Sequence, residues 1–474
     1  MGTRHRHAVF LAVGVAVQAA LLVALDGWAA PAPRPLFTAA YNGTGNAADS
    51  PRAILCDASG NILVAGPSFG SGTAQDYALV KWPPPGGLPL WVQRYNGPAN
   101  GLDRPTGLAL DSKGSSVLAG YSDGGAGNLD IAVVKYGPGG ANIFTQRYDS
   151  PGHAADYAVS VAVDPSDNIF VAGHSFGFSD TSDLLALKFT TGGTLAWARS
   201  FASPGFDAAV AGAVAPDGGF VVLGTSEGAG TGLDILVVKW KANGDLAWSA
   251  RWDGPAHLDD RAAALAVDGE GNVYAAGAAM RTAVNQDMVL VKWNAAGVLQ
   301  WAALWDGPSG GTDEATALRL LPGGDILLIG ASDGAENDCD MALVRFDPSG
   351  VPRFSGRWGS PAGLCDYPYA LAPDAAENAY LTGYSNLPEG GSAVATVKFS
   401  KAGDVLWAAR HFGEPGSPTH GRAVTLAPDG AVLVAAEVTA PGTGADFVVL
   451  AYPPGGGPPT TTPLPPLLLS DEAP

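Results

Sequence analysis

The chain has 474 residues, with 45 acidic side chains against 26 lysines and arginines and a formal net charge of −19. An acidic surface of that size repels phosphate backbones and anionic lipid, so neither nucleic acid nor a membrane surface is an expected partner. The charged fraction is low, 15%, which agrees with an exported chain.

At the N-terminus Arg4 and Arg6 precede an uncharged run from Ala8 to Leu25, followed by Asp26-Gly-Trp-Ala-Ala-Pro31. Basic, then apolar, then small residues is the order of a secretory signal, expected over residues 1–29 with cleavage after Ala29. The length of the apolar run leaves an uncleaved anchor as the alternative. No cysteine follows the run, so lipid attachment there is not expected. Residues 30–36 then read as a short linker.

The next element is a lone strand, Phe37–Tyr41, followed by Asn42-Gly43 as Tyr95 is followed by Asn96-Gly97. After it a unit recurs eight times: Asp76–Trp91, Asp130–Phe144, Asp183–Trp197, Asp234–Trp248, Asp287–Trp301, Asp340–Phe354, Ala393–Trp407 and a shorter copy, Asp446–Tyr452. Successive copies start 51 to 54 residues apart. The first full period reads as four short strands: A, Arg52–Asp57; B, Asn61–Gly66; C, Tyr77–Trp82; D, Leu90–Tyr95. Each is bounded by Gly, Pro, Asn or Asp, as strands are. The A–B turns Asp57–Gly60, Asp111–Gly114 and Asp268–Gly271 place Asp at the first turn position and Gly at the fourth. The strands are apolar on both faces, which sheets require when they are packed from both sides.

Four antiparallel strands in a repeat of this length describe a β-propeller blade. The expected fold is therefore all-β: a single eight-bladed propeller over residues 37–452. The chain opens with a D strand and closes with an A-B-C set, Arg422–Tyr452, so the N-terminal strand is expected to complete the last blade. The tail, residues 453–474, is rich in Pro, Gly and Thr and is expected to be disordered. Its Leu467–Leu469 run is too short to span a membrane.

Three cysteines are present. Cys56 falls in an inner strand and reads as a buried free thiol. Cys339 ends a B–C loop and Cys365 ends the following D–A loop. Both loop classes leave the same face, so a Cys339–Cys365 bridge and two free thiols there are the alternatives, and export permits the bridge.

Three sets of residues are candidates for chemistry. The first is the Asp that precedes strand A: Asp49, Asp103, Asp156, Asp260, Asp313 and Asp366, with Asp207 a looser seventh. A ring of carboxylates at a channel mouth suits a hard cation such as Ca²⁺. The competing explanation is that each Asp caps its own loop by accepting backbone N–H groups. The second is the strand-C Lys five residues after the leading Asp, as in Lys81, Lys135 and Lys239. Odd spacing puts the two on opposite faces of the strand. The Lys is thus expected to pack between blades and meet a turn carbonyl or a strand-A Asp such as Asp57, Asp111, Asp164, Asp268 or Asp374. The third is histidine: His153, His174, His257, His411 and His420 lack metal-ligand spacing and read as loop residues. No EF-hand loop, P-loop, G-x-S-x-G elbow or H-E-x-x-H motif occurs. No catalytic residue is assigned, and no cofactor is expected beyond Ca²⁺.

Asp268–Gly277 followed by Asp287–Gly297 resembles the bacterial β-propeller repeat called SBBP, and the related delta-60 repeat is nearly as close. The resemblance implies an exported or surface protein, and its name implies seven blades where eight units are counted here. A second similarity is to the tryptophan-docking repeat of quinoprotein (PQQ) dehydrogenases, whose Gly-to-Trp spacing is kept from Gly244 to Trp248 and from Gly297 to Trp301. That family's adjacent cysteine pair is missing.

The resulting expectation is a monomeric binding or scaffolding module, secreted, periplasmic or on the cell surface, that takes a protein or glycan ligand. Its working face would carry the B–C and D–A loops, such as Pro67–Gln75, His174–Ser182 and Ala278–Gln286. The rival readings are a propeller enzyme, quinoprotein or carbohydrate-active, and a structural surface protein. An enzyme breaks repeat symmetry at its site, and blade 7 is the most irregular copy, with Pro368, Tyr369 and no leading Asp.

Overall fold

The computed structural model describes residues 33, 35–125, 127–177, 181–203, 205–334 and 338–454. The expected signal and most of the expected tail lie outside the described residues. Among the described residues no helix is long and apolar enough to cross a membrane.

The repeats fold into eight four-stranded antiparallel sheets, and within each the strands pair in the order A-B-C-D. In blade 1 these are A (Ala53–Cys56), B (Ile62–Phe69), C (Gln75–Trp82) and D (Trp91–Tyr95). The A strands of neighbouring blades lie against one another, so they form the inner ring. The D strands are half exposed, as in Leu195–Phe201 and Leu246–Trp252, and form the rim. Strands B and C are buried almost end to end, for example over Ile62–Ser68 and Asp76–Trp82. Both of their faces are covered by other sheets, which explains why their sequences do not alternate.

The core sits between blades. One cluster joins Ile235, Val237 and Trp252 of blade 4 to Val273, Val289 and Trp293 of blade 5. Another joins Ala39, Phe447 and Val449 of blade 8 to Ile54, Val64 and Val80 of blade 1, so the apolar circuit is complete. The N-terminal strand supplies the covalent logic of that junction. Phe37–Tyr41 pairs antiparallel with Gly444–Tyr452, with Phe37 opposite Ala451 and Tyr41 opposite Phe447. Without that strand, strand C of the last blade would be an open outer edge.

A latch at the rim recurs from blade to blade. Trp248 on strand D of blade 4 packs on Gly297, in the C–D turn of blade 5, and its indole N–H donates to Ala295 O at 3.0 Å. Trp301 does the same with Gly350 and Pro348 O, and Trp197 with Gly244 and Ala242 O. These glycines have positive φ, and a side chain on any of them would meet the indole ring. The Gly-to-Trp spacing of the sequence is thus the register that lets each blade's Trp dock on the next blade's turn. The strand-C cation uses the same turn: Lys81 Nζ donates to Pro138 O at 3.1 Å and pairs with Asp57 at 2.8 Å, and Lys135 pairs with Asp111 at 2.9 Å. Lys239 meets Asp217 and Arg345 meets Asp325, each at 2.7 Å.

Strands B and C run further than the sequence pattern suggests. In blade 1 the ladder continues to the pair Phe69–Gln75, so the connection shrinks from Pro67–Gln75 to the Gly- and Ser-rich stretch between them. In blade 5 it continues to Thr282–Asn285, and the expected loop Ala278–Gln286 becomes a tight hairpin. The ladder hydrogen bonds persist until residues with turn chemistry end them. Part of the third expected loop, residues 178–180, lies outside the described residues.

Candidate binding face at the channel mouth

The six ring aspartates, with Asp207, are all buried at the end of the fold where the D–A loops enter. Each accepts a backbone N–H from its own loop: Gly43 N to Asp49 at 2.5 Å, Gly97 N to Asp103 at 2.6 Å, Ser150 N to Asp156 at 2.7 Å and Gly307 N to Asp313 at 2.7 Å, with Gly254 N on Asp260 and Ser360 N on Asp366. The carboxylates therefore shape the loops that carry them. Each also lies beside the strand-C Asp of the preceding blade, whose charge is met by an arginine from strand D at four junctions. These pairs are Arg94–Asp76 at 2.8 Å, Arg147–Asp130 at 2.6 Å, Arg251–Asp234 at 2.8 Å and Arg357–Asp340 at 3.0 Å.

Burial raises the pKa of Asp103, Asp156, Asp313 and Asp366, and a serine hydroxyl opposes the rise in each case: Ser122, Ser175, Ser332 and Ser385. Two ring aspartates are pushed further. Asp49 rises to about 6 and Asp260 to about 7, in both cases through burial first. At three junctions a third carboxylate joins the pair, with one oxygen from each residue within 4.8 Å of the others: Asp130, Asp149 and Asp156; Asp234, Asp253 and Asp260; Asp287, Asp306 and Asp313.

The residue after each ring Asp points the other way along the strand and faces its cross-strand partner on strand B. These pairs break the eightfold pattern. In blades 2, 3, 7 and 8 they are Arg104–Tyr121, Tyr157–His174, Tyr367–Tyr384 and His420–Glu437. In blades 4, 5 and 6 they include small residues: Ala208–Thr225, Arg261–Ala278 and Glu314–Ala331. A bulge in strand A adds a second inward position, filled by Tyr369 in blade 7 and Arg422 in blade 8. Bulges of this kind re-aim a side chain out of the ladder.

These positions meet around the channel. Tyr367 Oη donates to Glu314 of the preceding blade, and the Tyr367 and Tyr384 rings stack with centroids 5.8 Å apart. Tyr384 lies 5.0 Å from the His420 ring, and the Arg422 guanidinium sits 5.0 Å over Tyr369. Arg422 pairs with Glu437 at 2.9 Å, and Ser50 Oγ donates to Glu437 at 2.8 Å. Arg52 completes this half; its pKa is lowered by burial first and then by Arg422. On blade 3, Tyr157 stacks on His174, whose pKa burial lowers to about 4. Such a histidine is a neutral ring at physiological pH, suited to hydrogen bonding and stacking rather than to charge.

The remaining sequence candidates are dispersed. His153 and His257 are exposed and bond Asp149 and Asp253, each at 2.6 Å. His411 is held low by burial. Cys339 and Cys365 form a disulfide on the loop face, with Cα atoms 4.3 Å apart. Cys56 is half-buried, and burial raises its thiol to about 11. On the opposite face an open groove of about 510 Å³ lies between blades 5 and 6, lined in part by Asp268, Glu270, Tyr274 and Leu320. Asp268 there belongs to a turn repeated in other blades, whereas the channel mouth is where the repeat is broken.

No protein-family model matches the chain, and no curated protein matches it in sequence. In structure it is similar to the quinohemoprotein alcohol dehydrogenase of Comamonas testosteroni, at 10% identity and a TM-score of 0.48 over 90% of this chain and 77% of that one. It is similar to a puromycin hydrolase variant, at 15% identity and a TM-score of 0.46 over 84% of this chain and 59% of that one. A third similarity is to Drosophila Plexin A in complex with Semaphorin 1b, at 10% identity and a TM-score of 0.44 over 89% and 88%. The functions these proteins are named for differ; the eight blades of four antiparallel strands are read from this chain's own strand pairing.

Proposed function

We propose that the chain is an exported, monomeric binding module of the SBBP repeat type, and that its ligand is a glycan held at the channel mouth. The observation that carries this reading is the lopsided channel. Blades 7, 8, 1, 2 and 3 present Tyr367, Tyr369, Tyr384, Tyr157, His174 and charged neighbours, while blades 4 to 6 present mostly small residues. Sugar rings offer flat C–H faces and hydroxyl pairs. Aromatic faces cover the first, and guanidinium and carboxylate groups bridge the second. The Cys339–Cys365 disulfide fits an oxidising compartment and so supports export.

The test is binding to a glycan array followed by calorimetry on the best hit. Tyr369→Ala and Tyr384→Ala are expected to weaken binding at least tenfold, at about 1.4 kcal/mol per tenfold, with unfolding temperature little changed. A protein ligand is the second reading, favoured by Phe176, Phe206, Leu258 and Phe412, which are exposed among the loops of the same face. An array that binds no glycan would discard the first reading in favour of the second.

A further inference from the structure

The junction between blades 4 and 5 departs from its neighbours in one respect. Across the A–B ladder Asp103, Asp156, Asp207, Asp313 and Asp366 face Ser122, Ser175, Ser226, Ser332 and Ser385. Asp260 faces Ala279. The hydroxyl that supports the carboxylate elsewhere is missing, and Asp260 is fully buried. Two more carboxylates converge on it, Asp234 from strand C of blade 4 and Asp253 from the intervening loop, with one oxygen of each within 4.8 Å of the others.

Each of the three is held by one oxygen only. Asp234 Oδ2 accepts from Arg251 at 2.8 Å and from Thr231 at 3.0 Å. Asp253 Oδ2 bonds His257 Nδ1 at 2.6 Å, and Asp260 Oδ2 accepts from Gly254 N. The other oxygens, Asp234 Oδ1, Asp253 Oδ1 and Asp260 Oδ1, are buried and have no hydrogen-bond partner. Orphaned buried oxygens are costly, and three of them on carboxylates that also converge favour a shared positive partner. The other two clusters lack this completeness. In one, Asp130 Oδ1 accepts from Asn128; in the other, Asp306 has no buried orphan oxygen.

We propose that Asp234, Asp253 and Asp260 bind one hard divalent cation, Ca²⁺ in preference to Mg²⁺, at the blade 4–5 junction. Oxygens bound to Ca²⁺ at about 2.4 Å lie no more than about 4.8 Å apart, a limit that one oxygen from each of the three carboxylates meets, and water would fill the rest of the six to eight positions. Mg²⁺ demands a tighter octahedron than three carboxylates on separate elements readily form. Burial, with the Asp253 and Asp234 charges, opposes ionisation of Asp260, and a cation shared by the three carboxylates would offset that repulsion. Among the ring aspartates named as cation candidates, this places the ion at one junction, at the edge of the loop face, independently of any glycan in the channel.

The test uses the full chain after chelator dialysis at neutral pH, with Ca²⁺ titrated by calorimetry and unfolding followed by circular dichroism. The expected result is one Ca²⁺ per chain and a rise in unfolding temperature on saturation. Asp260→Asn keeps the shape and the Gly254 bond and is expected to abolish binding. Ala279→Ser installs the hydroxyl present at the other junctions and is expected to weaken binding roughly tenfold, as changes beside a metal ligand do. Asp156→Asn, at the blade 2–3 junction, is expected to bind as the parent does. The proposal is overturned if the parent chain binds no Ca²⁺ at millimolar concentration, if Asp260→Asn or Ala279→Ser binds as tightly as the parent, or if Asp156→Asn loses binding equally.

Discussion

The Trp248 indole lies so close to Gly297 of the next blade that a Cβ added there would sit 2.6 Å from the ring. Gly297 also has φ of 80°, a conformation that L side chains adopt at a cost. Gly297→Ala is therefore expected to destabilise the protein by about 2–4 kcal/mol, combining left-handed strain with displacement of a docked aromatic. Gly72 has φ of 82° and open space around it, so Gly72→Ala should cost only the strain. Chemical denaturation of both variants separates the two effects. Equal losses would mean that the docking contact contributes nothing.

The closing junction is expected to respond to pH. Asp49 and Asp446 both have pKa values raised from 3.8 to about 6, through burial first. Ala40 occupies the place that Arg94 fills in blade 1, so no strand-D arginine offsets this pair. A carboxyl with a raised folded-state pKa binds its proton more tightly in the folded than in the unfolded chain. Its contribution is complete below about 3.8 and is lost as pH climbs through about 6. Asp446→Asn should accordingly stabilise the protein more at pH 7.5 than at pH 4.5, read from unfolding temperatures at the two values. A gain that is the same at both would refute the assignment.

Lys135 and Asp111 form an ion pair that is almost completely enclosed, at 2.9 Å. Burial works to raise the Asp111 pKa, but Lys135 and Ser115 outweigh it and the net shift is downward. Lys135→Met should leave the carboxylate unpaired and cost roughly 3–5 kcal/mol, whereas the double change with Asp111→Asn should recover most of that loss. A denaturant double-mutant cycle measures the coupling, and additive losses would show that the two act independently.

The Cys339–Cys365 disulfide spans 26 residues and ties a B–C loop to the following D–A loop. Closing a loop of that length is worth about 3 kcal/mol through the unfolded chain. Reduction, or replacement of both cysteines by serine, is expected to lower the unfolding temperature by a few degrees while the ring persists. Intact mass with and without reductant, after alkylation, checks the pairing itself.

Much of the fold could be read from the chain because one pattern is written eight times. The buried B and C strands needed apolar residues on both faces, and the stray strand Phe37–Tyr41 matched the missing rim strand of the last unit. The channel mouth was harder to see. Tyr157 and His174, or Tyr367 and Glu314, come together through cross-strand register and ring geometry, and neither leaves a motif in a linear stretch. The available signal was irregularity: Pro368 and Tyr369 marked blade 7, where the aromatic cluster lies. Ala279 was visible too, as an Ala where other repeats have Ser. Its meaning depended on knowing that it stands opposite Asp260. The aspartates themselves resisted a sequence-level decision because one residue type both caps the loops and supplies the cluster oxygens.

Pairing Phe37–Tyr41 with Gly444–Tyr452 means that the last blade is assembled from both ends of the fold. A growing chain therefore has no finished ring until its final repeat arrives. Until then Gly444–Tyr452 offers a bare ribbon edge, and the strand that fits it is present in every other copy of the same chain. High concentration during refolding should accordingly yield exchanged dimers, in which each molecule lends its opening ribbon to its neighbour.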